Sequence, residues 1–289
     1  MVEKKVNFIV IGAMKAATTS LYTYLKQHPE IFMTKVKEPM FFNNFKQENK
    51  YKILGKKSKK PTTLKEYLAM FDDVKNEKAI GEASPAYIYN PQAPQLIKEH
   101  LSNVKIITIL RQPTDRAYSN YLHTKRADRE DAATFQEAIE LENKRIKDNW
   151  SPLYHYIEKG YYSVQLKRYF DLFSEKNIKI YLFEDVVKNT KETLKDIFKF
   201  LEVDENVEID TSKKANVSGN PSGLMGWVLK KMRYYNLMPK FAISYYLPKF
   251  IMELIFKSVY KPIEKLNEDS RRDITERYYK GEIRSLEKL

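Results

Sequence analysis

The chain has 289 residues, of which 43% are hydrophobic, as is typical of a globular protein with one large domain or two small ones. It has no cysteine and four histidines, which excludes disulfides, thiol catalysis and cysteine metal sites and argues against structural zinc. The net charge of +13 favours anionic partners, such as an acidic membrane surface or a polyanionic cofactor and acceptor, but no nucleic-acid-binding motif accompanies it, so we expect no nucleic acid partner.

Predicted strands and helices alternate along the first two thirds of the chain. The apolar run at residues 6–11 predicts a buried parallel strand. The N-terminal residues lead straight into it and show no signal peptide, so we expect a cytoplasmic protein. Further strands are predicted at 31–32, 79–82, 104–110 and 178–183, with helices from residues 18 and 113 and over 64–71, 92–100, 134–146, 162–173 and 190–201. This alternation predicts an α/β fold with a central parallel sheet covered by helices on both faces.

Beyond residue 203 we predict a polar lid and a helical C-terminal extension of the same domain. Residues 204–223 are polar and irregular, and their cations Lys213 and Lys214 are expected to order over a bound nucleotide. Helices are predicted at 224–235, 241–260 and 267–289, without the roughly 20 apolar residues that a membrane span needs. The aromatic and basic 241–260 segment is a candidate for peripheral membrane contact, although packing on the domain is the simpler interpretation. We therefore predict a single domain over 1–289, with its core at about 1–203.

The most informative stretch joins the first strand to the first helix. Gly12 permits a tight turn, Lys15 lies in the loop, and Thr18 opens the helix. Such a loop directs backbone N–H groups and a helix N-terminus at one point, which suits a phosphate or sulfate. The spacing does not fit the Walker A motif of kinases, because Lys15 follows Gly12 by three residues and Ala17 replaces the second glycine. An ordinary turn with an incidental lysine is the alternative.

A second cationic position follows the strand predicted at 104–110. Arg111 comes directly after that strand, and Ser119 lies eight residues later on the following helix. Because ligands bind beyond the carboxyl ends of parallel strands, Arg111 and Lys15 converge if their strands lie close together. His123, four residues beyond Ser119, shares its helix face. The alternative is that Arg111 forms an ion pair and that Ser119 is an incidental surface residue.

Together these two stretches resemble the nucleotide-binding motifs of the sulfotransferase family. The loop is similar to the 5′-phosphosulfate motif, roughly G-x-x-K-x-G-T-T-[SA]-L, and departs from it at Ala17. The stretch from Arg111 to Ser119 is similar to the 3′-phosphate motif, roughly R-x-P-x-x-R-x-x-S. The resemblance covers most of residues 6–201 and implies a P-loop-like three-layer fold that binds 3′-phosphoadenosine 5′-phosphosulfate (PAPS). The residues expected to bind this donor are Lys15, Ala16, Ala17, Thr18, Thr19, Ser20, Arg111, Ser119, Lys213 and Lys214.

Within the family, the sequence resembles the heparan-sulfate-type, carbohydrate-modifying branch and its bacterial relatives. Residues 37–42, KEPMFF, are similar to its E-x-x-F-F segment, whose glutamate is the catalytic base, which implies that role for Glu38. Residues 118–123 are similar to its A-Y-S-x-Y-x-H segment, which implies that His123 lies near the acceptor. Residues 82–87 resemble a segment that often carries a substrate-facing lysine, but Ala83 stands there, which leaves the acceptor open. The alternatives are a surface ion pair between Lys37 and Glu38 and a neutral helix residue at His123.

The resemblance implies in-line sulfuryl transfer, which depends mostly on alignment and charge stabilisation. Lys15 would neutralise charge on the bridging oxygen, while Thr18, Thr19 and backbone N–H groups hold the 5′-phosphate. Glu38 would take the proton of the acceptor hydroxyl, and we expect the neighbouring phenylalanines to strengthen it as a base by desolvation. No metal is required.

We expect the acceptor to be a carbohydrate, a glycolipid or another alcohol, with an amine less favoured. Two other interpretations stay open. A P-loop-type kinase would show magnesium-dependent turnover of ATP, and a non-catalytic nucleotide- or polyanion-binding protein would tolerate the loss of Glu38.

Overall fold

The computed structural model describes residues 6–44, 60–101, 103–212, 219–221, 260–262 and 265–289. Contacts divide the chain into two compact units, Met1–Ala215 with Asn267–Leu289, and Asn216–Leu266. Whether all 289 residues act as one domain stays a prediction.

The first unit is built on a five-stranded parallel sheet, which confirms the predicted fold class. The strands are β1 (Phe8–Gly12), β2 (Ile31–Met33), β3 (Ala79–Ala83), β4 (Lys105–Leu110) and β5 (Ile178–Leu182). Their spatial order is β2-β3-β1-β4-β5, and all neighbouring pairs are parallel. Gly81 of β3 lies opposite Phe8 of β1, and a Cβ at Gly81 would approach the Phe8 ring to 2.5 Å. Close packing at the sheet centre therefore requires glycine at this position.

Helices connect the strands and cover the sheet. They are α1 (Thr18–Leu25), α2 (Phe41–Asn44), α3 (Leu64–Leu68), α4 (Ala93–His100), α5 (Pro113–Arg126), α6 (Phe135–Glu140), α7 (Glu142–Lys147), α8 (Tyr162–Phe170), α9 (Phe183–Lys188) and α10 (Thr190–Leu201). The helix predicted at 134–146 is divided into α6 and α7, and α8 ends three residues earlier than predicted. α2 and α9 were not predicted, because helices of four and six residues are too short for periodicity to reveal.

The C-terminal residues pack on α5 as part of the first unit. They form α11 (Glu268–Ile274), a π-helical turn (Thr275–Tyr279) and α12 (Lys280–Leu286), where the sequence predicts one continuous helix. Arg271 pairs with Asp115 of α5 at 2.9 Å. Tyr279 is fully buried, and its hydroxyl donates a hydrogen bond to the Ile157 carbonyl at 2.8 Å. The end of the chain therefore supports the helix that carries Ser119 and His123.

In the second unit, β6 (Gly219–Pro221) and β7 (Tyr260–Pro262) form an antiparallel pair. This corrects two predictions, an irregular lid through 219–221 and a helix reaching residue 260. The helices predicted at 224–235 and 241–259 lie outside the described residues. Within the described residues, no helix combines the length and the apolar character needed to cross a membrane.

We expect Tyr279→Ala to lower the free energy of unfolding by about 3 kcal/mol or more, because it removes a buried ring and leaves a cavity beneath α5. Tyr278→Ala is the matched control, since that neighbouring ring is only partly buried and should cost about 1 kcal/mol or less. Urea denaturation of both variants measures the difference. Equal losses would show that the buried ring does not anchor the C-terminal helices.

Candidate active site

Residues 13–17 form the loop between β1 and α1, and its backbone explains why the site needs small residues. A Cβ at Gly12 would lie 2.5 Å from Ile88 Cγ2. Lys15 and Ala17 adopt left-handed conformations, with φ of 71° and 57°. Such a conformation costs a residue with a Cβ about 1 kcal/mol, so glycine is the preferred residue at position 17. Ala17 is also the N-cap of α1 and has no capping side chain, which leaves the first N–H groups of the helix available to an anion.

Arg111 meets this loop, as the sequence predicts. β1 and β4 are hydrogen-bonded neighbours, and the Arg111 Nη1 donates to the Lys15 carbonyl at 3.1 Å. The guanidinium lies over the Phe183 ring, 4.7 Å from its centroid. Its Nε is buried without a hydrogen-bond partner among the described residues. A buried N–H group of this kind is suited to an anionic ligand, because leaving it unpaired is costly.

The first turn of α1 is partly enclosed and is linked to the segment that follows β2. Ala16 and Thr18 are buried, whereas Thr19 and Ser20 are half-buried. The Thr19 hydroxyl accepts a hydrogen bond from the Lys37 ammonium at 2.6 Å.

Lys37 makes a second contact that brings Glu38 to this loop. Its ammonium lies 3.0 Å from Glu38 Oε1, and the two side chains are 33% and 31% exposed. The ion pair that was the alternative interpretation of Glu38 is therefore present. The same ion pair connects the proposed base to the start of α1, because Lys37 also binds Thr19.

The apolar setting predicted for Glu38 is wrong. Phe41 and Phe42 are buried, and their rings lie 4.6 Å and 5.4 Å from the ring of Tyr67. Glu38 instead reaches partly into solvent beside Lys37. The reason is that the phenylalanines belong to α2 and turn into the core, whereas Glu38 precedes that helix.

The exposed face of α5 adds His123 and Arg126 to the same electrostatic environment. Loss of solvent around the imidazole lowers the pKa of His123 to about 4, and the charges of Lys15 and Arg126 lower it further, although the residue as a whole is exposed. His123 is therefore neutral at neutral pH, able to orient a hydroxyl by a hydrogen bond but not to serve as an acid. Ser119 is half-buried, one helical turn before His123 on the same helix.

Lys15 is the most strongly perturbed group of the loop. Burial lowers its pKa to about 8, and the positive charges of Arg126, Arg111 and Lys37 act in the same direction while Glu38 opposes them. Burial also lowers the pKa of Arg111. Perturbed cations that lie together in this way are typical of sites that bind an anion.

The structure thus brings Lys15, Arg111, Glu38 and His123 into one region, whereas Lys213 and Lys214 lie outside the described residues. The sequence analysis missed two neighbouring cations, Arg126 and Lys159, and it also missed the contact between Lys37 and Thr19. Arg126 could have been found, because it follows His123 by three residues on the same helix face. Lys159, which is buried with its ammonium 3.4 Å from the Met14 sulfur, gives no local sequence signal.

The loop after β1 carries a lysine, and an arginine follows β4, the neighbouring strand in the sheet. These features define an α/β protein with an anion site at the carboxyl edge of its sheet. The sequence matches the Sulfotransferase domain family over residues 5–241, and the chain belongs to this family of sulfuryl-transferring enzymes.

Similar proteins are known from several organisms. A sulfotransferase from Alicyclobacillus acidocaldarius of known crystal structure is 34% identical, with 73% of this chain and 86% of that chain covered and a TM-score of 0.68. The membrane-associated sulfotransferase kil1 of Dictyostelium discoideum is 39% identical over 115 residues, 40% of this chain and 22% of that protein. Bifunctional heparan sulfate N-deacetylase/N-sulfotransferase 4 of Mus musculus is 28% identical over 207 residues, 68% of this chain and 22% of that protein. The aligned region thus spans 22% of the length of each of these two curated relatives.

We expect the binding of 3′,5′-phosphoadenosine, the nucleotide product expected from PAPS, to restore the pKa of Lys15, so that about half a proton is taken up per site at pH 8. Calorimetry in two buffers of different ionisation enthalpy measures this uptake. Because the ligand favours protonated Lys15, its affinity should fall as the pH rises through about 8. Lys15→Arg is the control, since a guanidinium stays protonated in this range. Undiminished proton uptake by that variant would contradict the assignment to Lys15.

Proposed function

We propose that this sulfotransferase moves a sulfuryl group from PAPS to a hydroxyl group of a carbohydrate acceptor, with Glu38 as the general base. The observation that carries the proposal is the double contact of Lys37. One ammonium binds Thr19 at the start of α1 and Glu38 on the acceptor side, at 2.6 Å and 3.0 Å. An anion-binding loop and a carboxylate are therefore parts of a single site.

The donor side of the proposal is supported by the fit between the residues and a nucleotide with two anionic ends. The uncapped N-terminus of α1, Lys15 and the hydroxyl of Thr18 would hold the 5′-phosphosulfate end. The Nε of Arg111, which is buried and has no hydrogen-bond partner within the described part of the chain, and the hydroxyl of Ser119 would hold the 3′-phosphate. Bound PAPS supplies an activated sulfuryl group whose leaving group is the 5′-phosphate. Protonated Lys15 then stabilises the negative charge that develops on that leaving group.

On the acceptor side, each residue has a role that matches its protonation. The Glu38 carboxylate accepts the proton of the attacking hydroxyl, which makes the oxygen a better nucleophile. Neutral His123 orients the same hydroxyl through a hydrogen bond. Lys37 contacts Glu38 Oε1 and keeps the carboxylate beside the loop, and the second carboxylate oxygen can accept the proton while this contact stays in place.

Carbohydrate is favoured as the acceptor class because 68% of this chain aligns with the heparan sulfate N-deacetylase/N-sulfotransferase 4 of mouse. Several cations, Lys15, Lys37 and Arg126 among them, surround Glu38 and His123, and they suit an acceptor that carries negative charge. A glycolipid or another alcohol would use the same proton transfer, so the acceptor panel described below includes both.

Phosphoadenosine at about a hundred times its dissociation constant should stabilise the protein by about 2.7 kcal/mol without added metal, which is about 5 to 10 °C in melting temperature. Arg111→Ala should remove most of this shift, because it deletes the guanidinium expected to hold the 3′-phosphate. Thermal denaturation with and without ligand, in the presence of a chelator, is the measurement. Stabilisation by ATP and magnesium but not by phosphoadenosine would contradict the proposed donor and favour a kinase.

Glu38→Gln should reduce sulfuryl transfer by about a hundred- to ten-thousand-fold, because the amide keeps the size of the side chain but accepts no proton at neutral pH. Transfer of labelled sulfate from PAPS is measured with desulfated N-acetylated heparin, N-desulfated heparin, a galactosyl glycolipid and a simple aryl alcohol. Phosphoadenosine should still stabilise the variant.

Glu192→Gln is the matched control for that experiment, since it makes the same change at an exposed glutamate in the first turn of α10 and should keep full activity. His123→Ala should cost less than Glu38→Gln. Near-normal turnover by Glu38→Gln together with an inactive His123→Ala would assign the base to His123. Transfer only to N-desulfated heparin would replace the hydroxyl by an amine as the acceptor group.

A further inference from the structure

A buried carboxylate lies directly behind the segment that carries Glu38. Glu82 belongs to β3 and has no solvent exposure. Its Oε2 accepts a hydrogen bond from the Ser84 hydroxyl at 2.7 Å, and its Oε1 accepts one from the Tyr87 hydroxyl at 2.8 Å. Each oxygen of the carboxylate is thus bound by a different hydroxyl.

The same two hydroxyls accept hydrogen bonds from the backbone that follows Glu38. The Met40 N–H donates to Ser84 Oγ at 2.9 Å, and the Phe42 N–H donates to Tyr87 Oη at 3.4 Å. A hydroxyl has one hydrogen, so once that hydrogen is donated to Glu82, the lone pairs are left for the backbone donors. The carboxylate therefore sets the direction of both hydroxyls.

The segment between Glu38 and α2 needs such external support. Glu38 and Met40 both have a φ of 54°, in the left-handed region that is unfavourable for residues with a Cβ. Strained residues of this kind persist only where the surrounding structure holds them. Lys60 makes a third contact that supports this segment, since its ammonium donates a hydrogen bond to the Glu38 carbonyl oxygen.

We propose that Glu82 is a positioning residue for sulfuryl transfer, acting through Ser84 and Tyr87 to hold Met40 and Phe42, and hence Glu38, in the reactive arrangement. This inference rests on the proposed role of Glu38 as the base. Glu82 is fully buried, and within the described residues its carboxylate is hydrogen-bonded to the two hydroxyls, so we do not expect it to exchange a proton with the acceptor itself.

The charge state of Glu82 depends on a balance between burial and its hydrogen-bond donors. Burial raises the pKa of Glu82 to about 7, and the negative charge of Glu38 acts in the same direction, while the two hydroxyl donors and the charge of Lys60 oppose the rise. The hydroxyls therefore stabilise the charged carboxylate, which is the form that accepts from both of them.

The decisive experiment is a double-mutant cycle between Glu82→Gln and Glu38→Gln, read by transfer from labelled PAPS to whichever acceptor of the panel the wild-type protein uses. The amide of Glu82→Gln presents a donor to one of the hydroxyls, which then can no longer orient as before. We expect kcat to fall by roughly tenfold to a hundredfold, because small displacements of a catalytic group are costly. The KM for PAPS should stay unchanged, and in the Glu38→Gln background Glu82→Gln should cause no further loss.

Further variants separate positioning from general support of the fold. Ser84→Ala removes one of the two hydroxyls that link Glu82 to the Glu38 segment. Its loss of kcat should be smaller than that of Glu82→Gln and should likewise disappear in the Glu38→Gln background. Tyr87→Phe removes the other link, and Tyr67→Phe is its matched control. The Tyr67 ring is buried in the same aromatic cluster, but its hydroxyl has no hydrogen-bond partner among the described residues. Tyr67→Phe should therefore keep full activity.

Hydrogen exchange of the peptide from 38 to 44 should be faster in Glu82→Gln and Ser84→Ala and unchanged in Tyr67→Phe. If the wild-type protein transfers sulfuryl groups and Glu82→Gln is fully active as well, this inference is overturned and the proposed function stays intact. Equal losses in the two Glu38 backgrounds would also overturn it, since Glu82 would then act on the fold in general. An inactive wild-type protein across the whole panel would remove the proposed function and this inference with it. If Glu82→Gln fails to bind phosphoadenosine, the same cycle is measured with Ser84→Ala. Full activity of Ser84→Ala, or an equal loss in both Glu38 backgrounds, then overturns the inference.

Discussion

The parallel pairing of β1 with β4 is the constraint on which the site depends. Gly12 lies opposite Thr108, and the Ala13 N–H donates to the Ile109 carbonyl at 2.7 Å, so the two strands end at one edge of the sheet. The chain leaves β1 as the loop that carries Lys15 and leaves β4 as Arg111. Neither cation can shift along the sheet without breaking the strand hydrogen bonds, and their meeting is therefore a property of the core rather than of the loops.

This arrangement holds several cations close together in surroundings that solvate them poorly. Lys15 and Arg111 both lose some of their preference for the protonated form, and Glu38 is the acidic side chain that opposes this effect at Lys15. Such an arrangement stabilises the fold less than well-paired charges would, and it becomes favourable when an anion arrives. Desolvation lowers the pKa of His123, and the charge of Lys15 lowers it further, so a cation that would bind the donor also affects the chemistry of the acceptor side.

Much of the donor side could be predicted from the sequence, because it depends on local patterns. A short apolar strand, small loop residues and a lysine are contiguous, and one rule about parallel strands places Arg111 beside them. The acceptor side depends on contacts between distant segments. Lys60 reaches Glu38 across 22 positions, and Ser84 reaches Met40 across 44. No periodicity reveals such pairs. The apolar setting predicted for Glu38 is wrong because both phenylalanine rings are buried in the core, whereas the Glu38 carboxylate pairs with Lys37 and is partly exposed.

Ala17 has a consequence for the state of the loop before any ligand is bound. Glycine visits many backbone conformations, and fixing one of them on binding carries an entropic cost. Alanine has fewer conformations to lose, but at a positive φ it is strained where glycine is not, so the contacts around the loop have to hold it in this shape. The φ of 57° at Ala17 therefore depends on neighbours such as Arg111, which binds the carbonyl of Lys15 two residues earlier.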